Sequence, residues 1–141
     1  MNLTALESAL RFFLLKANNQ TFTAPTDNAA DAPVNYMTKY VFLRDLINAY
    51  NGKLTAAELA KYKVDDKPER IRDALAHGRL VAPLKDVPLT LWKFGRQSSG
   101  RVPIEFHDVL TKEWLEETWK YVDQQKTLVV TCSKERGYPI S

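Results

Sequence analysis

Apolar side chains recur at intervals of three and four positions along most of this chain, the spacing that places them on one face of an α-helix. The first run of this kind extends from about Ala5 to Ala17. A second run is formed by Tyr36, Tyr40, Leu43, Ile47 and Tyr50. Each apolar stripe must be buried by a neighbouring element, so the pattern predicts an all-α fold, a bundle of four to five helices in up-and-down order.

Polar residues that begin helices stand in front of two such segments. Thr4 with Glu7, and Thr55 with Glu58, have the spacing of a capping box, in which each side chain bonds the backbone N–H of the other residue. The first pair predicts the start of the first helix, and the second pair predicts a short third helix. Asn51-Gly52 predicts the end of the second helix.

A fourth helix is predicted around residues 66–77. One of Asp65-Asp66 would cap it, and Pro68 suits its first turn. Ile71 and Leu75 are expected to face the core, and Gly78 is expected to end the helix in a left-handed conformation.

Two extended-looking runs, Leu89 to Phe94 and Val102 to Phe106, are separated by a turn that contains glycine and serine. They predict a small β-hairpin at 89–106, an excursion from the bundle before its last helix. Thr111 would cap that helix. The three tryptophans are expected to pack in the core rather than to stack on bases: Trp92, Trp114 and Trp119.

The 141 residues predict a single domain over 1–141, with an exposed loop at 20–34. The formal charge of +3 is compatible with an RNA partner but does not require one. Cys132 is the only cysteine, and no Cys and His spacing is typical of a zinc site, so we expect no disulfide, no metal and no other cofactor. No export signal and no apolar stretch long enough to span a bilayer is evident, so we expect a cytoplasmic protein without a membrane partner.

The segment at 71–80, IRDALAHGRL, places Arg72, the polar Asp73 and His77 in one short string, with Gly78-Arg79 directly after it. This string resembles the arginine–polar–histidine signature of the HEPN domain family, in its RNALAHGR form. The resemblance extends from about residue 36 to 130. Within the family, the chain is similar to the plasmid- and phage-associated branch. The chain departs from this signature at one position: it has Asp73 where asparagine is common in the family.

The resemblance implies a fold of HEPN type, a four- to five-helix bundle that forms a symmetric homodimer with the motifs at the interface. It implies a metal-independent endoribonuclease, acting as a toxin or in phage defence, with an antitoxin protein as a further partner. Arg72 and His77 would be catalytic, Asp73 would orient them, and Arg79 would bind RNA backbone. The products would carry 2′,3′-cyclic phosphate ends.

The chemistry of the residues agrees with these roles. Histidine exchanges a proton near neutral pH, and arginine binds phosphate at two positions. Each residue also has a structural interpretation: His77 could cap helix carbonyls, Arg72 could pair with Glu69 or Asp73, and Arg79 could compensate the helix dipole.

A second histidine, His107, has a permitted spacing from Arg101 but lies in another context, so we assign it to structure. Two other functions stay open. One is a non-catalytic HEPN-like module that binds a protein or nucleotide. The other is a basic RNA-binding protein that uses Lys93, Arg96 and Arg101 of the hairpin.

Overall fold

The computed structural model describes residues 3–18, 42–82 and 88–138. Within these ranges the chain forms five α-helices and three β-strands. In chain order they are α1 (Leu3–Ala17), α2 (Leu43–Gly52), α3 (Ala56–Tyr62), α4 (Lys67–His77), β1 (Arg79–Val81), β2 (Thr90–Phe94), β3 (Ile104–Val109) and α5 (Lys112–Glu135). The predicted loop at 20–34, and Tyr36 and Tyr40 of the predicted second helix, lie outside the described residues.

The prediction of an all-α fold, an up-and-down helix bundle with only a small hairpin, is wrong, because three strands form an antiparallel sheet in the order β1-β2-β3. Strands β2 and β3 form the predicted hairpin, although β3 begins after Pro103 and continues to Val109. Strand β1 was not predicted. It has only three residues, which is too short for an alternating pattern to reveal, and its pairing with β2 supplies the backbone hydrogen bonds that define it.

The described residues divide into two compact units, one of residues 66–82 with 88–122 and the other of residues 3–18 and 42–65 with 123–138. Among the described residues, the first unit contains α4, the sheet and the first half of α5, and the second contains α1 to α3 and the rest of α5. A single domain over 1–141 stays a prediction.

The core of the second unit is built on the apolar stripe of α1. Its fully buried side chains are Leu6, Leu10, Phe13 and Leu14. The Phe13 ring meets the Tyr50 ring of α2 edge-on, with centroids 4.8 Å apart. Burying a large apolar side chain stabilises a fold by roughly 1.5–3 kcal/mol, so this stripe is a major source of stability.

Helix starts follow the predicted capping residues in two of four cases, since Asp66 precedes α4 without a side-chain hydrogen bond. Thr55 Oγ1 accepts from the Glu58 N–H at 3.2 Å, and Glu58 Oε1 accepts from the Thr55 N–H at 3.0 Å, which confirms the second capping box. Thr111 Oγ1 accepts from the Trp114 N–H at 3.0 Å and caps α5 as predicted. Thr4, by contrast, lies inside α1, which already includes Leu3.

Candidate functional site

Helix α4 carries three of the four residues predicted to act on RNA. Asp66 is its N-cap residue, without a side-chain hydrogen bond, and Pro68 stands in the first turn as predicted. The buried stripe consists of Pro68, Ile71 and Ala74. Leu75, expected in the core, is 46% exposed, because the buried face follows positions three apart rather than four.

Arg72 and His77 are both exposed, and His77 is the last residue of α4. Positions five apart on an ideal helix differ by about 140° around its axis. The structure therefore places both residues where a phosphate can reach them, but on different sides of the helix.

Asp73 is joined to the sheet by an ion pair. Lys93 of β2 donates from Nζ to Asp73 Oδ2, and the same ammonium donates to Glu105 Oε2 at 2.7 Å. The hydrogen bonds to Asp73 and then to Glu105 raise the pKa of Lys93, while its partial burial opposes them. Asp73 thus fastens α4 to β2, and its negative charge is offset by a neighbouring cation.

The bulge in β3 brings the second carboxylate to this cluster. Lys93 lies opposite Phe106 and Phe94 lies opposite Ile104, which leaves Glu105 as an additional residue on β3. The carbonyl oxygen of Glu105 also accepts from Arg70 Nη2 of α4 at 3.2 Å.

Gly78 ends α4 in a way that the sequence did not predict. Its φ of −82° and ψ of −179° are extended, so the expected left-handed exit is wrong. A Cβ atom here would lie 2.3 Å from the Ala74 carbonyl oxygen and 2.6 Å from the Trp92 carbonyl oxygen. Glycine is needed because the helix end and strand β2 approach each other closely, not because φ is positive.

Arg79, the fourth predicted residue, begins β1 directly after this contact. It lies opposite Trp92 of β2, and Trp92 in turn lies opposite His107 of β3, so these three residues form one row across the sheet. His107 was assigned to structure and was expected to lie by a turn and the start of the last helix. It is instead an exposed strand residue.

The row includes a pair of stacked rings. The Trp92 and His107 rings have centroids 3.8 Å apart and planes 29° from parallel. The Phe94 ring lies 5.8 Å from the Trp92 ring with planes 14° apart. Sequence reasoning placed Trp92 in the core and did not select Phe94. Alternation along β2 could have shown that these two residues share a face.

A groove of about 410 Å³ lies beside β3 in the same unit. It is lined by Lys67, Arg70 and the strand residues Ile104 to Asp108, which include both acidic and basic side chains. A groove with this mixture of charges favours neither an anionic nor a cationic ligand.

Two further observations concern the described residues only. They contain no group of three His, Cys, Asp or Glu side chains placed to hold a metal ion. None of their helices combines the length and the apolar character needed to cross a membrane.

Comparison with protein-family models, curated proteins and solved structures finds no match for this chain. Its function must be inferred from its own residues.

Proposed function

We propose that this chain is a metal-independent endoribonuclease of HEPN type, in which Arg72 and His77 act on the scissile phosphate of RNA. The observation that carries the proposal is the exposure of both side chains on α4, with His77 at the C-terminal end of the helix. The sequence at 71–80 identifies these two residues as the arginine and the histidine of the motif.

In the proposed reaction, the 2′-hydroxyl oxygen of one nucleotide attacks the adjacent phosphorus, and its proton passes to a water molecule. The bond from phosphorus to the 5′-oxygen breaks, and His77 donates a proton to that leaving oxygen. Arg72 binds the non-bridging oxygens, where negative charge increases in the transition state. The products are a 2′,3′-cyclic phosphate and a free 5′-hydroxyl.

The angular separation of the pair supports a dimer as part of the proposal. One copy of α4 directs Arg72 and His77 to different sides, whereas two copies related by a twofold axis can direct Arg72 of one copy and His77 of the other to a single phosphate. The enzyme would act in the cytoplasm as a toxin or in phage defence, and an antitoxin protein would restrain it.

The test uses purified protein, excess EDTA and an end-labelled structured RNA. Wild-type protein should cleave the RNA, and His77→Ala should lower the rate by about a hundredfold or more. Arg44→Ala, a change at an exposed arginine on α2, should cleave like the wild type. Equal cleavage by His77→Ala and wild type would refute the proposal.

The nucleophile has a separate test. A substrate with a 2′-deoxy sugar on the 5′ side of the cleaved bond lacks the attacking hydroxyl and should not be cut. Cleavage of that bond at the normal rate would rule out the cyclic-phosphate mechanism.

The Asp73–Lys93 pair favours a second candidate, a non-catalytic HEPN-like module that binds a nucleotide or a protein. It shows that the polar residue of the motif holds α4 to the sheet. Under this alternative, Arg72→Ala weakens binding of the partner while no preparation cleaves RNA.

A further inference from the structure

The two faces of the sheet differ in what covers them. Leu91 is 1% exposed, and Lys93 bonds Asp73 of α4, so these residues of β2 point toward the helix. Successive side chains of a strand point to opposite faces, so Trp92 and Phe94 belong to the other face. Phe94 is 55% exposed, and Arg79 and His107 in the row of Trp92 are exposed as well, so this face is open to solvent at these three residues.

We use the term aromatic face for the part of this open surface formed by Arg79, Trp92, Phe94 and His107. The Trp92 ring stacks with each of the other two rings, at 14° to the Phe94 plane and 29° to the His107 plane. The Phe94 and His107 rings each stack on Trp92, and both residues are exposed, so their rings are suited to stacking on another planar group.

Arginine residues belong to the aromatic face and follow it along the chain. Arg79 is exposed and lies opposite Trp92 in the sheet. Arg96 and Arg101 are exposed on the hairpin arm that continues from Phe94. Positive charge beside exposed rings is complementary to a polyanion that carries planar bases.

Two carboxylates of β3 are already engaged by other groups. Glu105 accepts from Lys93 at 2.7 Å, and Asp108 accepts from the Trp114 indole N–H at 2.8 Å. Their charges therefore oppose a bound phosphate less than free carboxylates would.

We propose that the aromatic face binds single-stranded RNA, with bases stacked on the rings of Phe94 and His107 and with Arg79 contacting a backbone phosphate. This inference goes beyond the proposed function, because binding by stacking requires no cleavage. Double-stranded RNA is excluded as the ligand, since its bases are stacked on one another and present only their edges.

The test measures fluorescence anisotropy of a labelled 2′-O-methyl oligonucleotide of about ten nucleotides, which a 2′-hydroxyl mechanism cannot cleave. Phe94→Leu retains apolar volume but loses the ring, and should weaken binding roughly five- to a hundredfold. Arg79→Gln should weaken binding at low salt and reduce the slope of log affinity against log salt by about one. A duplex of the same length should bind much more weakly than the single strand.

Trp119→Leu is the matched control, because Trp119 is 59% exposed on α5 and does not belong to the aromatic face. It should bind the oligonucleotide like the wild type. Wild-type affinity in Phe94→Leu, or an equal loss in both variants, would refute the inference. A wild-type protein that binds no oligonucleotide but forms a dimer broken by Phe94→Leu would also refute it, because a second copy would then cover the face.

These outcomes are independent of the proposed nuclease. If RNA cleavage is absent but the single strand binds through Phe94, the inference holds and the proposed function fails. If cleavage occurs and Phe94→Leu changes neither binding nor cleavage, the proposed function holds and the inference fails.

Discussion

The ion pair between Glu58 and Arg136 should make the stability of this protein depend on pH in acid. Glu58 Oε2 accepts from Arg136 Nε at 2.8 Å, and Glu58 Oε1 accepts from Arg136 Nη2 at 2.6 Å. About a fifth of each side chain is exposed, 20% for Glu58 and 21% for Arg136. A bidentate pair with this little exposure is stronger than an ordinary surface ion pair.

The hydrogen bonds from Arg136 lower the pKa of Glu58 from its ordinary 4.5 to about 2, although burial opposes them. This difference corresponds to at most about 3 kcal/mol of folding free energy, and solvent screening of the partly exposed pair reduces it to about 2 kcal/mol. Because the pKa is lower in the folded protein, the contribution is complete above the unfolded-state pKa. It is lost as the pH falls from about 4.5 toward 2.

The assay is urea unfolding of wild type and Glu58→Gln, followed by far-UV circular dichroism near pH 7 and near pH 3. We expect Glu58→Gln to lower the free energy of unfolding by about 2 kcal/mol near pH 7 and by less than about half of that near pH 3. Glu117→Gln, at an exposed carboxylate of α5, should change it by less than about 0.5 kcal/mol at either pH. A loss for Glu58→Gln that is equal at the two pH values would refute the reasoning.

Three shorter predictions concern other parts of the chain. Gly78→Ala should lower the free energy of thermal unfolding by about 1–3 kcal/mol because its Cβ would meet two backbone oxygens, whereas Gly52→Ala has open space and should not destabilise. Asp73→Asn should keep RNA cleavage within about tenfold of the wild type, since the amide can still accept from Lys93; a larger loss in a single-turnover assay would assign Asp73 a direct role in the chemistry. The Cys132 thiol is buried, and burial is the main cause that raises its pKa to about 11, so a disulfide reagent should label it on the order of a hundredfold faster in urea than in the native protein. Similar native and unfolded labelling rates would contradict that burial.

The parts of the fold that follow from neighbouring residues were predictable from the sequence. The capping box of Thr55 and Glu58 and the cap by Thr111 depend on residues three positions apart, and both are formed. The fold class was not predictable in the same way. Strand β1 depends on its pairing with β2 across residues distant in sequence, and helical periodicity contains no information about that pairing.

In the candidate site, too, local features were predictable from the sequence and contacts between distant residues were not. The sequence indicated that His77 ends a helix, which the structure confirms, because the local pattern from Pro68 to Gly78 determines where α4 ends. It did not indicate that Lys93 would hold Asp73, since that ion pair joins residues twenty positions apart. The buried position was Ala74 rather than Leu75 because packing against neighbouring elements selected the face of α4.

The backbone contact at Gly78 explains how the end of α4 and the aromatic face can occupy fixed positions in the unit of residues 66–82 with 88–122. His77 precedes this glycine and Arg79 follows it, while the Trp92 carbonyl lies against it. Arg79 also pairs with Trp92 in the ladder between β1 and β2, so backbone hydrogen bonds hold the end of α4 next to the row across the sheet. If the aromatic face holds a single strand of RNA, the backbone of that strand next to Arg79 is therefore held near the end of α4 that carries His77. An RNA-binding surface and a proton donor at a fixed separation are what a ribonuclease needs to act at a defined distance from the bases that it holds.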